Sequence, residues 1–231
     1  PIYGEVGPDG ALWVADWYNY IIQHNPTPKG FKTGRGAAYE TPLRDKTHGR
    51  IYRVTYKDGK PSTQAKLDPS NFEGLIAALK NDNMFWRNHA QRLLVERGNQ
   101  DIVPQLATLV QDQSTDAIGL NPAAIHALWT MQGLGAMNGS NEAASKAGLA
   151  ALTHPSAGVR RAAVMVLPRD EATLTALLES QLISDKDAQV RMATLLAIAE
   201  SPSTESAITG RDGSQAREPP GVEPPQLCRL Q

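Results

Sequence analysis

The sequence predicts a mainly α protein: a stack of about four helical hairpins behind a short N-terminal β segment. The stack is predicted by an apolar template that recurs in the second helix of each hairpin. Its four occurrences are Trp86-Arg87…Ala90…Leu94, Ala123-Ala124…Ala127…Met131, Val159-Arg160…Ala163…Leu167 and Val190-Arg191…Thr194…Ile198. The second position returns after 37, 36 and 31 residues, a period at which each hairpin buries its apolar stripe only against its neighbours. The β segment is predicted by a Gly7-Pro8-Asp9-Gly10 turn and two runs of β-formers before residue 60.

Taken in order, residues 1–60 begin with that turn, where proline presets φ and glycine permits a positive φ. Ala11 to Asp16 follows as a strand, and Gly49 to Tyr56 as a second, closed by Lys57-Asp58-Gly59-Lys60. Two or three strands are not independently stable in water, so this piece must pack on something else. Residues 25–48 lie between the strands with Pro26, Pro28, Gly30, Gly34, Gly36 and Pro42. A loop of that length is commonly functional or disordered, and its charged, compact distal end, Arg44 to Arg50, favours an ordered insertion. Residues 61–70 read as a linker with Pro61 and Pro69.

The helical part spans 71–202. Phe72, Leu75, Ile76 and Leu79 make an i, i+3, i+4, i+7 stripe, followed by Trp86, Ala90, Leu93 and Leu94. Hairpin two has Ile102, Leu106, Leu109 and Val110, then Asn121-Pro122 as cap and first helical residue, then Ala124, Ala127, Leu128 and Met131. Hairpin three runs from Asn141 through Ala147, Ala151 and Leu152 to Val159, Ala162, Ala163, Val166 and Leu167, stopping at Pro168. Hairpin four has Leu174, Leu177, Leu178 and Leu182, then Val190, Ala193, Ala197 and Ile198. Its second helix is apolar nearly all round, which predicts burial, whereas a terminal repeat normally turns a polar face outward. Residues 203–231 are rich in proline, glycine and charge and read as a disordered tail unable to cover that face. The expectation is that further repeats of a longer parent protein cover it.

Bulk properties narrow the function classes. A hydrophobic fraction of 41% and a charged fraction of 20% are ordinary for a soluble globular chain. A net charge of −1 argues against a nucleic-acid or anionic-membrane surface. No apolar run reaches the roughly 18 residues of a membrane span. The single cysteine, Cys228, leaves no disulfide pair, no zinc-type spacing and no Cys-x-x-Cys-His haem motif. The chain opens at Pro1 without a methionine or an apolar leader, so it reads as a fragment, and the missing signal carries no information.

The spacing, the paired helices and the Val-Arg pairs at 159–160 and 190–191 resemble HEAT repeats, with hairpin two departing by placing Ala124 in the arginine slot. That resemblance implies a structural role for Arg87, Arg160 and Arg191, tied to an aspartate such as Asp82 or Asp185. Candidate chemistry lies elsewhere, in Asp16, Arg44, Asp45, His48 and Arg50 at strand ends and in the long loop, where ligand groups are commonly placed. Asp16 with Asn19 suits a turn better than a hard cation. His48 is either an acid–base group near neutral pH or an ordinary hydrogen-bonded histidine. Arg44 and Arg50 would bind an anion or pair with Asp45. His126 and Trp129, three apart on one helix face, suit packing between repeats more than a ligand site. No phosphate loop, Gly-x-Ser-x-Gly or His-Glu-x-x-His occurs, and no metal site is predicted.

The strings GPDGALWVADWYNYIIQHNP, THGRIYRVTY and HALWTMQGLG together resemble the large bacterial membrane-bound dehydrogenase-like proteins over about residues 1–200. Those join a sugar/sorbosone-dehydrogenase-like β-propeller to HEAT repeats, often with a c-type cytochrome domain. The resemblance implies that residues 1–60 are part of the last propeller blade. It also implies an exported, periplasmic parent with redox chemistry on sugars or alcohols, using pyrroloquinoline quinone and c-type haem that this chain does not itself hold. A propeller needs at least four blades of four strands, so this chain would serve as scaffold without a complete active site. Its partners would be the rest of the propeller and further repeats. The alternative is a HEAT-repeat binding module with a protein partner on its concave face and no enzymatic activity.

Overall fold

The computed structural model describes residues 2–17, 29–30, 32–33, 39–40, 47–60 and 62–201. It is mainly helical, with a small antiparallel sheet ahead of the helices. The sheet contains β1 (Tyr3–Val6), β2 (Leu12–Asp16) and β5 (Arg50–Val54) in the order β1-β2-β5. Two further short strands, β3 (Lys32–Thr33) and β4 (Tyr39–Glu40), pair with each other inside the stretch that the sequence leaves without regular structure. Pairs of two residues are too short for a period-2 signal. The called tail at 203–231 lies outside the described residues.

Register sorts the sheet into two faces, because opposite residues of a ladder share a side. Val6, Leu12 and Val54 are aligned, as are Gly4, Val14 and Tyr52, which makes one face apolar up to its far end, where Asp16 and Arg50 stand opposite each other. That face is open: Leu12 is 43%, Tyr52 41% and Val54 53% exposed. The other face carries Tyr3, Glu5, Trp13, Ala15, Ile51 and Arg53.

Eight α-helices follow among the described residues, packed in pairs. They are α1 (Phe72–Ala78), α2 (Met84–Arg97), α3 (Val103–Gln111), α4 (Pro122–Gly133), α5 (Glu142–Ala150), α6 (Ala157–Val166), α7 (Glu171–Glu179) and α8 (Ala188–Ala199). Helices α2, α4, α6 and α8 stack one on the next, and α3 packs on α5 in the other layer. The starts are local chemistry: the side chains of Asn71, Asn83, Asn121, Asn141, Asp170 and Asp187 each accept a backbone N–H of the turn they open. Helix α6 stops because Leu167 precedes Pro168, which forces it out of the helical region, and its ψ is 146°. The core is one continuous apolar seam from Leu75 to Ala197. Ala65 and Leu67 of the linker pack against it, so that segment is anchored.

The capping residues correct the alignment of hairpin two by one position. Counted from Asn83, Asn121, Ser156 and Asp187, the third helical residues are Trp86, Ala124, Val159 and Val190, and the seventh are Ala90, Leu128, Ala163 and Thr194. All four of the seventh residues are fully buried. The arginine slot of hairpin two is therefore held by Ile125, not Ala124. The template failed there because the alanines at 123, 124 and 127 fit two registers.

Helix α8 departs from its expected burial. Val190, Thr194 and Ala197 are covered, but Met192, Leu195 and Leu196 are 51%, 53% and 56% exposed. No described residue lies over them. Leu178, placed in the apolar stripe of hairpin four, likewise faces outward.

Candidate functional site

Of the five candidate residues, Asp16, His48 and Arg50 come together at one end of the sheet, while Arg44 and Asp45 lie outside the described residues. Asp16 ends β2 and Arg50 opens β5, and the register sets them directly opposite each other. Opposite charges so placed stabilise a sheet by a few tenths of a kcal/mol up to about 1 kcal/mol. Arg50 Nη1 also donates to the Tyr52 hydroxyl at 3.4 Å, and His48 Nδ1 lies 3.0 Å from Thr47 Oγ1. Arg50 therefore has an acidic cross-strand neighbour in Asp16, and the alternative pairing with Asp45 lies outside the described residues. Asn19 and His24 lie outside the described residues. Among the described residues no group of three or more His, Cys, Asp or Glu side chains could hold a metal ion, and no helix is long and apolar enough to cross a membrane.

A denser arrangement sits at the opposite end of the sheet, in the turn between β1 and β2. Asp9 Oδ1 accepts the Ala11 N–H and the Trp13 indole N–H, each at 3.1 Å, and Asp9 Oδ2 accepts Arg53 Nε at 2.5 Å. The Trp13 and Arg53 bonds hold the Asp9 carboxyl down at about 2. Gly10 has φ +80°, and a side chain there would meet Ser62 Oγ at 2.5 Å. The same turn is the joint to the helices. Asn83 Nδ2 donates to the Gly7 carbonyl at 2.8 Å, and Trp86 Nε1 to the Pro8 carbonyl at 3.0 Å. Ser62 N donates to the Asp9 carbonyl at 3.3 Å. The turn was legible from Gly-Pro-Asp-Gly. Its partners were not, because nothing local in Asn83 or Trp86 points to a carbonyl more than seventy residues away.

The arginines of the second helices act structurally. Nη1 of Arg87 donates to the carbonyls of Asn81 and Asp82, that of Arg160 to those of His154 and Pro155, and that of Arg191 to those of Asp185 and Lys186. Each thus closes the loop entering its own helix. Of these three, Arg160 is the one that among the described residues also makes a two-pronged pair with a carboxylate, Nε to Asp185 Oδ2 at 2.7 Å and Nη2 to Asp185 Oδ1 at 2.8 Å, joining hairpin three to hairpin four. Hairpins two and three are joined by His154, 1% exposed, whose Nε2 lies 2.8 Å from the Asp112 carbonyl. Between hairpins one and two a cleft of about 650 Å³ holds Lys80, Asp82, Arg87, Asp112 and Asp116, and Arg87 Nε is buried there without a hydrogen-bond partner.

His126 and Trp129 take up packing positions between repeats. His126 Nδ1 lies 2.7 Å from Gln91 Oε1 on α2, which assigns the ring proton to Nδ1, and Trp129 packs on the core. Burial, and after it the Arg87 guanidinium, pushes the His126 imidazole down to about 4. The unfolded chain, with an ordinary value near 6.5, binds a proton between those two pH values that the folded chain refuses. Stability is thus full above about pH 6.5 and falls by roughly 3 kcal/mol as pH drops towards 4. Urea denaturation at pH 7 and pH 4.5 should show this loss, and His126→Gln should shrink the difference. An unchanged difference in the variant would put the acid sensitivity elsewhere.

Residues 1–58 match the model of a family described as Domain of unknown function (DUF7133). No curated protein matches the chain.

Proposed function

We propose that this chain is the scaffold portion of a dehydrogenase-like propeller–HEAT protein, in which a blade-like sheet is fixed to the first of a row of HEAT-like repeats. It has no complete active site of its own. The observation that carries the reading is the sheet's open apolar face, Val6, Leu12, Val14, Tyr52 and Val54, on a piece whose turn is bonded into hairpin one. Three strands with such a face need a second layer, and neighbouring blades of a propeller supply one. The parent would be exported to the periplasm and would oxidise sugars or alcohols. Its partners for this chain are the remaining blades and further repeats.

Of the cofactors, a c-type haem does not fit these residues, because covalent attachment needs two cysteines and a histidine and the chain has Cys228 alone. Pyrroloquinoline quinone is anionic, and Arg50 at the sheet end stands opposite the Asp16 carboxylate, so the described residues there do not make up a site for it. No step is assigned through either group. Dye-linked oxidation of aldoses and alcohols by the isolated chain, with pyrroloquinoline quinone added, should give no turnover above blank. Robust turnover would overturn the scaffold reading.

A second reading, a HEAT-type binding module without enzymatic activity, is favoured by the mixed-charge cleft between hairpins one and two. The reading frame upstream of Pro1 separates the two. Repeated Gly-Pro-Asp-Gly strand units there support the propeller, and an immediate start codon supports the module.

A further inference from the structure

Arg87 and Arg160 hold the same place in their helices, fourth after the caps Asn83 and Ser156, and Nη1 of each sits on the carbonyls five and six residues back. In Arg160 this pose sets the Nε–Nη2 edge against the loop entering α8, where Asp185 takes both nitrogens. The corresponding loop for Arg87 enters α4, and the position that matches Asp185, two before the cap, is Gly119 before Asn121. Asp112 and Asp116 of that loop make no ion pair with Arg87, and its Nε is buried without a hydrogen-bond partner. Burial pulls the guanidinium down from its ordinary value, and Asp82 makes up only part of the difference. A buried charged donor without an acceptor is costly, and the internal repeat shows the group that satisfies it, a carboxylate held by two parallel bonds. Arg87 borders the cleft of about 650 Å³ between hairpins one and two. The other charges there are fixed in place. Asp112 accepts the Ser114 N–H at 2.9 Å, which with Lys80 holds its carboxyl below the ordinary range. Asp116 accepts the N–H groups of Ile118 and Leu120 at 3.0 and 2.9 Å. With Lys80 and Arg87 set against Asp82, Asp112 and Asp116, the cleft repels a ligand of several carboxylates and favours one that couples a single carboxylate to a cation.

We propose that the cleft between hairpins one and two binds a small zwitterion of the amino-acid class, its carboxylate seated on the Nε–Nη2 edge of Arg87 as Asp185 is on Arg160, and its ammonium turned to the carboxylates of Asp82, Asp112 and Asp116. Every residue of the site belongs to hairpins one and two, so the site is independent of a propeller and of a protein partner.

The test titrates the full, isotope-labelled chain with alanine, acetate and succinate, and follows the arginine Nε–H signals by NMR. Alanine should move the Arg87 signal downfield along a saturable curve. Acetate should move the same signal with affinity about fivefold weaker, the loss of one partly exposed ion pair. Succinate should bind no tighter than acetate, because its second carboxylate meets the acidic wall. Arg87→Lys, which keeps the charge but loses the planar fork, should weaken alanine binding about tenfold. Far-UV circular dichroism checks that this variant keeps its helices. An Arg87 signal that alanine leaves unmoved in the parent chain would overturn the proposal without any variant, and so would alanine binding that Arg87→Lys leaves unchanged. Succinate tighter than alanine would make the cleft a general anion site and overturn the zwitterion. None of these outcomes alters the dye-linked oxidation result, so the two proposals fail separately.

Discussion

Asp185→Ala should be among the most destabilising single changes in the helical part, costing about 3–5 kcal/mol. Arg160 and Asp185 have side chains only 9% and 7% exposed, and the guanidinium meets the carboxylate through two parallel bonds. Removing the carboxylate leaves a buried cation with no counter-charge, which costs far more than the pair itself is worth. The Asp187 N–H also loses its acceptor, Asp185 Oδ1 at 2.8 Å, so the entry into α8 loosens as well. The double change Arg160→Met with Asp185→Leu removes both charges and should recover most of the loss. Urea denaturation followed by far-UV circular dichroism reads both. A single variant within 1 kcal/mol of the parent would mean that water reaches Arg160 in solution. The pair also carries a pH signature. Arg160 holds the Asp185 carboxyl below the ordinary carboxylate range. The stabilisation is therefore present above about pH 3.9, the ordinary aspartate value, and is lost as pH falls through the lowered one.

The helical half was legible because its signals are local. An asparagine or aspartate before an apolar run, a proline after one, and a period of three to four residues depend on neighbours in sequence, and Asn71, Asn121-Pro122 and Pro168 mark the boundaries they were read to mark. The tie between hairpins three and four was implied by the resemblance to HEAT repeats, which sets such an arginine against an aspartate: Asp185 takes that part for Arg160, whereas Asp82 offers Arg87 a backbone carbonyl. Where the pattern degenerated, in the alanines of α4, the register slipped by one, and only the cap at Asn121 fixes it. The β half was read less well. Strand β1 has no alternation beyond Tyr3, Gly4, Glu5 and Val6, and it exists because its backbone pairs with β2. Of the candidate cluster, Asp16, His48 and Arg50 share an end of the sheet while Arg44 and Asp45 lie outside the described residues, and the opposition of Asp16 to Arg50 follows from a register that no single strand encodes. The joint at residues 7–10 was invisible for the same reason.

That joint gives the second large expected effect, through Asn83. Its side chain works in two directions from one amide: Oδ1 accepts the Phe85 N–H at 2.9 Å and caps α2, while Nδ2 donates to the Gly7 carbonyl at 2.8 Å and holds the sheet. At 4% exposure, no water replaces either bond. Asn83→Ala should lose about 1 kcal/mol for the cap and a further 1–3 kcal/mol for the orphaned Gly7 carbonyl. Asn83→Asp separates the two roles. The carboxylate still accepts from Phe85, and its charge suits the start of a helix, but it turns an oxygen towards the Gly7 carbonyl. Helix α2 should then remain capped while the turn lifts away from it. Hydrogen exchange distinguishes the variants: in Asn83→Asp the Ser62 and Gly10 amides should lose protection, with Leu94 and its neighbours unchanged. In Asn83→Ala both regions should loosen. Equal protection at Ser62 in Asn83→Asp and the parent chain would show that the Trp86 bond to Pro8, and not Asn83, fastens the sheet to the helices.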